Sequence, residues 1–162
     1  MENKPEESAS QYPSVNLSYE FVKASYDVME KRFESANSRI QNLLTWAVGI
    51  TTAIPLFAAA VKSDADIKSI WILPMLLFFL ALVIVGIFAY RTGGIILVHP
   101  KIIYEDYIQC PEVEFKKQLV YWAGQHFDTN QKCINLKSRY IDTMTILLGL
   151  EMVFALIWVF IT

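Results

Sequence analysis

Apolar residues recur at Tyr19, Val22, Tyr26, Met29, Phe33, Ala36, Ile40 and Leu43. The steps alternate between three and four residues, the spacing of a heptad seam along one side of a helix. Glu20, Lys23, Asp27, Glu30, Lys31 and Glu34 fill the other faces, and neither Pro nor Gly interrupts between Asn16 and Val48. The pattern predicts a helix capped by Asn16 or Ser18 that runs on to Val61. At 1.5 Å per residue, its roughly 45 residues would extend about 67 Å. Pro55 removes one backbone hydrogen bond and is expected to kink its outer half.

Beyond the seam the polarity changes. Three windows, 43–61, 70–90 and 141–161, are almost continuously apolar. Each approaches the ~20 residues that cross a ~30 Å hydrocarbon core as helix. The middle one holds no charged residue between Ile70 and Tyr90. One such window could be a buried core helix. Three in 162 residues leave too little polar chain to cover a soluble core. Three transmembrane helices are expected, with Trp46, Trp71 and Trp158 as interfacial anchors.

The eight-residue link "KSDADIKS", 62–69, makes the first two spans an antiparallel pair. The second span is expected to stop at "YRTGG". In the segment that follows, "IILV" could be a short strand and "PKIIYEDYIQ" a short helix. A new helix is predicted from Pro111, with Glu112 and Glu114 in its first turn, running to Ile161. Two long helices therefore enter spans one and three in the same direction. Their extensions would form a stalk whose seam residues Val22, Tyr26, Met29, Phe33 and Ile40 pack against the second long helix or against another subunit.

Charge sets the expected orientation. Lys and Arg number five before the first span, two in the short link and seven between spans two and three. By the positive-inside rule the N-terminal arm and the long loop are cytoplasmic, and the link and C-terminus external. The N-terminal stretch "MENKPEESASQYPS" lacks the apolar core of a signal peptide and reads as a disordered tail. The net charge of −2 gives no bias toward nucleic acid. Cys110 and Cys133 fall on the cytoplasmic side, where reduced thiols are expected.

Candidate chemistry is sparse. Glu151 lies ten residues into the third window, about 15 Å deep by helical rise. Thr51 and Thr52, on a span rising from the same side, reach a similar depth. An intramembrane carboxylate faces the bundle interior almost by default. It could serve helix association as a protonated acid, line a pore as a ring of copies, or act as a proton-coupled site. Arg39 and Asp142, at the inner boundary, could pair or could turn to the head groups.

His99, Cys110, His126 and Cys133 do not form a metal site. His126 and Cys133 alone are about 10 Å apart along a helix, too far to share a tetrahedral ion. Tyr104, Tyr107, Tyr121, Trp122 and Phe127 are expected to pack the stalk. No Gly-rich phosphate loop accompanies them. No nucleophile–base set is legible, so neither a catalytic residue nor a cofactor is expected.

Two stretches, "RFESANSRIQNLLTWAVGITTAIP" and "NQKCINLKSRYIDTMTILLGLEMVFALIW", carry small polar and basic residues on a helix straight into a span. In this the chain resembles small bacterial membrane effectors of the SLATT and Pycsar type. The resemblance covers about a third of the chain and is one of arrangement. It implies an oligomer in the inner membrane that disrupts it in antiviral defence. The trigger would be a separate sensor protein, or a signalling nucleotide bound between Arg91 and Tyr140.

The expected fold is thus an all-α membrane protein with three transmembrane helices and a cytoplasmic helical stalk. Its parts are a tail (1–16), a heptad helix (17–42), span one (43–61), the external link (62–69), span two (70–90), a cytoplasmic loop and helix (91–140) and span three (141–161). The expected partners are the lipid bilayer and further copies of the chain. A structural or scaffold subunit that binds a partner through the stalk is the alternative function.

Overall fold

The computed structural model describes residues 14–61, 72–97 and 109–161. They form three helices: α1 (Val15–Val61), α2 (Ile72–Arg91) and α3 (Glu112–Ile161). There is no strand among the described residues. All three helices are long and apolar enough to cross a membrane. The link over 62–69 and Trp71 lie outside the described residues, as do His99, Tyr104, Tyr107 and the expected helix at 100–109 except Gln109.

The helix ends follow local chemistry. α1 begins at Val15, not at Asn16 or Ser18, and the Ser18 amide donates to the Ser14 carbonyl at 2.9 Å. Ser14 therefore occupies the capping position, which leaves the Asn16 side chain for another contact. α2 ends where expected. The Thr92 amide and hydroxyl both donate to the Phe88 carbonyl, and Gly93 follows with φ 37°. That left-handed turn is the conformation glycine supplies after a helix. α3 starts one residue later than predicted, with Pro111 ahead of it and its carbonyl accepting from the Phe115 amide. Pro55 lies inside α1, whose helical span continues to Val61.

The chain divides into two compact units. The first comprises Met1–Phe33 and Gly94–Ile134, the second Glu34–Gly93 and Asn135–Thr162. α1 and α3 contribute to both. In the first unit the seam of α1 turns inward: Met29 is buried, and Val22, Tyr26 and Phe33 are half-buried. The Tyr26 hydroxyl donates to the Ala123 carbonyl at 3.1 Å, so α3 of the same chain supplies a partner here. Burial pushes the Tyr26 phenol above its usual range. Ile95, Ile96 and Leu97 are irregular, and no strand forms. The Ile96 backbone instead pairs with the buried Asn130 side chain, its amide donating at 2.8 Å and its carbonyl accepting at 3.2 Å.

In the second unit the core joins all three helices. Ile40 and Ala47 of α1, Leu82 and Ala89 of α2 and Met144 of α3 are fully buried together. Gly86 sets how closely α2 approaches. A Cβ there would lie 3.0 Å from Leu44 Cδ2 and 3.2 Å from Met144 Cε. Small residues at such contacts are what membrane helices use in place of a hydrophobic driving force. Phe78 stacks on Phe154 at 5.3 Å between ring centres, and Gly86 meets Met144. Rising numbers on α2 thus meet falling numbers on α3, and the two run antiparallel. The outward surface is apolar: Leu73, Leu77, Leu80 and Phe88 of α2, with Ile146, Val153 and Phe160 of α3.

Candidate functional site

Among the described residues of the second unit, two ionisable side chains are buried, Lys137 and Glu151, 1% and 0% exposed. Both lie on α3, fourteen residues apart, with buried Met144 midway and buried Trp158 seven beyond. Steps of seven keep them on one side of the helix, the side turned toward α1. The α1 residues opposite are polar to match. Lys137 Nζ donates to Asn37 Oδ1 at 2.7 Å, and Thr51 Oγ1 donates to Glu151 Oε1 at 2.5 Å. Each pair is 100 residues apart in sequence, so α1 and α3 run parallel at constant register through this unit.

Glu151 Oε2 is also buried and has no hydrogen-bond partner. In an apolar medium a charged carboxylate with one unsatisfied oxygen is costly. No second titratable side chain faces it from α1 between Trp46 and Phe57 or from α2 between Ile72 and Ala89. The carboxyl is enclosed by its own chain and is absent from the outer surface. A ring of Glu151 side chains from several copies would require α1 and α3 to part.

The two threonines that share its depth divide. Thr51 faces the carboxyl. Thr52 points outward and returns its hydroxyl to the Val48 carbonyl at 2.7 Å and the Gly49 carbonyl at 3.3 Å. Arg39 and Asp142 are both exposed, and no ion pair joins them among the described residues. Trp158 is 2% exposed, so it packs the interior instead of anchoring an interface, whereas Trp46 is exposed.

The first unit carries an ionic cluster around Lys116. Lys116 bonds Glu112 one turn earlier, donates to Asn16 Oδ1 at 2.9 Å and lies 5.7 Å from the Tyr19 ring centre. This fastens the start of α3 to the start of α1 within that unit, across the same interval of 100 residues. The adjacent ammonium holds the exposed Glu112 carboxyl below the usual carboxylate range, through a hydrogen bond first and charge second. No group of three or more His, Cys, Asp or Glu side chains suited to a metal occurs among the described residues. Cys110 and Cys133 are not bridged to each other.

Asn37, Lys137 and Asn130 are not prominent in the sequence, yet Lys137 and Asn130 are buried and Asn37 is half-buried. The signal was available: counting back from Glu151 in sevens reaches Met144, Lys137, Asn130 and Ala123, all buried. Searches against protein-family models, curated proteins and solved structures find no match to this chain.

Proposed function

We propose that the protein is a membrane-perturbing effector of the bacterial inner membrane, held shut in the state described above and opened by separation of α1 and α3. The observation that carries this reading is the enclosed polar seam of the second unit, with Lys137 on Asn37 and Glu151 on Thr51. Hydroxyls, amides and small residues are enough to join helices in lipid, so association alone does not call for a carboxyl with one unpartnered oxygen. An ionisable side chain kept inside a span, as Glu151 is in the window 141–161, instead marks a path for ions or protons.

In the proposed closed state Lys137 and Glu151 each bond a polar side chain of α1, Glu151 Oε2 stays enclosed without a partner, and the lipid meets a mainly apolar surface. Parting the helices gives water a polar lining. α1 and α3 both continue well outside the windows 43–61 and 141–161. With those extensions in the cytoplasm, a sensor protein or nucleotide acting on them could shift the seam. An oligomer would supply the further walls that a passage needs, since three helices enclose little space.

Voltage-sensitive dye in cells with induced expression tests the proposal. The wild type is expected to depolarise the membrane, and Glu151→Gln and Glu151→Leu to change that response. An unaltered potential on strong expression would overturn it.

A further inference from the structure

We infer that the outward face of α1 in the first unit is a docking surface for a second copy of this chain, aligned parallel to the first. Leu17 and Phe21 are 75% and 72% exposed, Val28 is 49% exposed, and Ala24 is exposed between them. They fall in steps of four, three and four, so α1 carries a second heptad stripe. It lies two residues out of phase with the seam through Tyr19, Val22, Tyr26 and Met29. Two residues turn a helix by about 200°, which puts the stripe on the side away from that seam. The contact with α3 uses one face of α1 and leaves this one open.

Charge identifies the occupant. With Leu17 and Ala24 as d positions and Phe21 and Val28 as a positions, Asp27 falls at g and Arg32 at e. In a parallel pair, a g residue meets the e residue five places later on the other helix. Asp27 of one copy would therefore face Arg32 of the next, and Arg32 would face Asp27 in return. Both are exposed, and neither has an ion pair among the described residues. An antiparallel pair would lose this match. Copies inserted in one membrane with the same orientation present α1 in parallel and at high effective concentration.

The second unit gives an independent sign. Carrying the same a and d spacing along α1 passes Lys31, Ser35, Ser38 and Asn42 and then reaches Thr45, Gly49 and Thr52, all exposed. The Thr45 and Thr52 hydroxyls are bonded to their own helix backbone, and a Cβ on Gly49 would meet nothing within 4 Å. Small and hydroxylated residues let membrane helices approach closely. A lipid-facing surface has no need of them.

The inference requires insertion in a membrane but not the perturbing activity proposed above; a parallel dimer in cells that keep their potential would uphold it alone. The test is a cysteine scan of the full chain in native membranes, with Cys110 and Cys133 replaced by Ala. Under mild oxidation, Leu17→Cys, Phe21→Cys, Ala24→Cys and Val28→Cys should form dimers of this chain, several-fold more than Lys23→Cys or Met29→Cys. In the Phe21→Cys background, Asp27→Arg should cut the yield several-fold, and adding Arg32→Asp should restore it. A yield that is absent or equal at every position would overturn the inference. So would capture of a different protein at the stripe, or a yield indifferent to the Asp27 and Arg32 charges.

Discussion

The two units use the same pair of helices with opposite polarity. In the second, the outward faces of α2 and of α3 beyond Ile146 are apolar, and the seam encloses an ammonium and a carboxyl. In the first, charged residues such as Glu20, Lys23 and Glu30 face outward while Met29 and Ala123 are buried. The proposed placement, with one unit in lipid and the other in water, would impose such a difference. Lipid tails reward an apolar exterior and give no hydrophobic reason for helices to associate, so polar contacts and small residues do that work. Water rewards burial of the apolar seam itself. One heptad spacing serves both because it fixes which side of the helix turns inward and leaves its chemistry free.

Truncating the seam should separate the units most clearly. Ile40→Ala removes a fully buried side chain of the second unit's core and should cost about 2–5 kcal/mol. Val22→Ala, on the half-buried seam of the first unit, should cost clearly less. Thermal unfolding of both variants in one detergent measures the difference; equal losses would erase the contrast.

The polar contacts should follow. Asn37→Leu takes a charge-assisted hydrogen bond from the buried Lys137 ammonium, with an expected loss of about 2–3 kcal/mol. Replacing Lys137 by Met in the same variant should recover part of it, because the buried charge that Asn37 served goes with it. Thr51→Val should cost about 1 kcal/mol through the bond to Glu151. Thr52→Val, one residue on but facing outward, should leave unfolding temperature nearly unchanged. A larger effect at Thr52 than at Thr51 would reverse the assignment of the two faces.

The smallest effect belongs to the first unit. The Glu112 carboxyl is held below its ordinary range by Lys116, so the pair's contribution is complete above that range. It is lost as pH falls through the lowered value. NMR titration of the Glu112 side chain should show the depression in the wild type and its disappearance in Lys116→Met. Stability should scarcely respond, because the pair is exposed.

Much of this fold was legible from the residue pattern. The 3–4 spacing from Tyr19 to Leu43 marks the inward face of α1, the three apolar windows mark the candidate spans, and "YRTGG" marks the end of α2. Glu151 and Thr51 stood out because a polar group in an apolar run is conspicuous. Lys137 and Asn130 did not, because each sits in a polar neighbourhood where only register distinguishes buried from exposed. Trp158 misled for a related reason: its place near a span end fits an interfacial anchor, but the seven-residue step from Glu151 turns it inward. "IIL" has the apolar composition of a strand, but no strand neighbours it among the described residues, and the Asn130 side-chain amide takes the Ile96 backbone bonds instead. Arg39 and Asp142 share a depth in the sequence reading, which does not fix the facing of either side chain.

The central claim is that the seam opens when the protein acts on the membrane, and thiol accessibility tests it most directly. Ala47 is fully buried in the second unit's core. Ala47→Cys, with Cys110 and Cys133 replaced by Ala, can be probed with a charged, membrane-impermeant thiol reagent while a dye follows membrane potential in the same cells. The account predicts protection of the thiol in polarised cells and modification as the potential collapses. A thiol that stays protected in fully depolarised cells would contradict it.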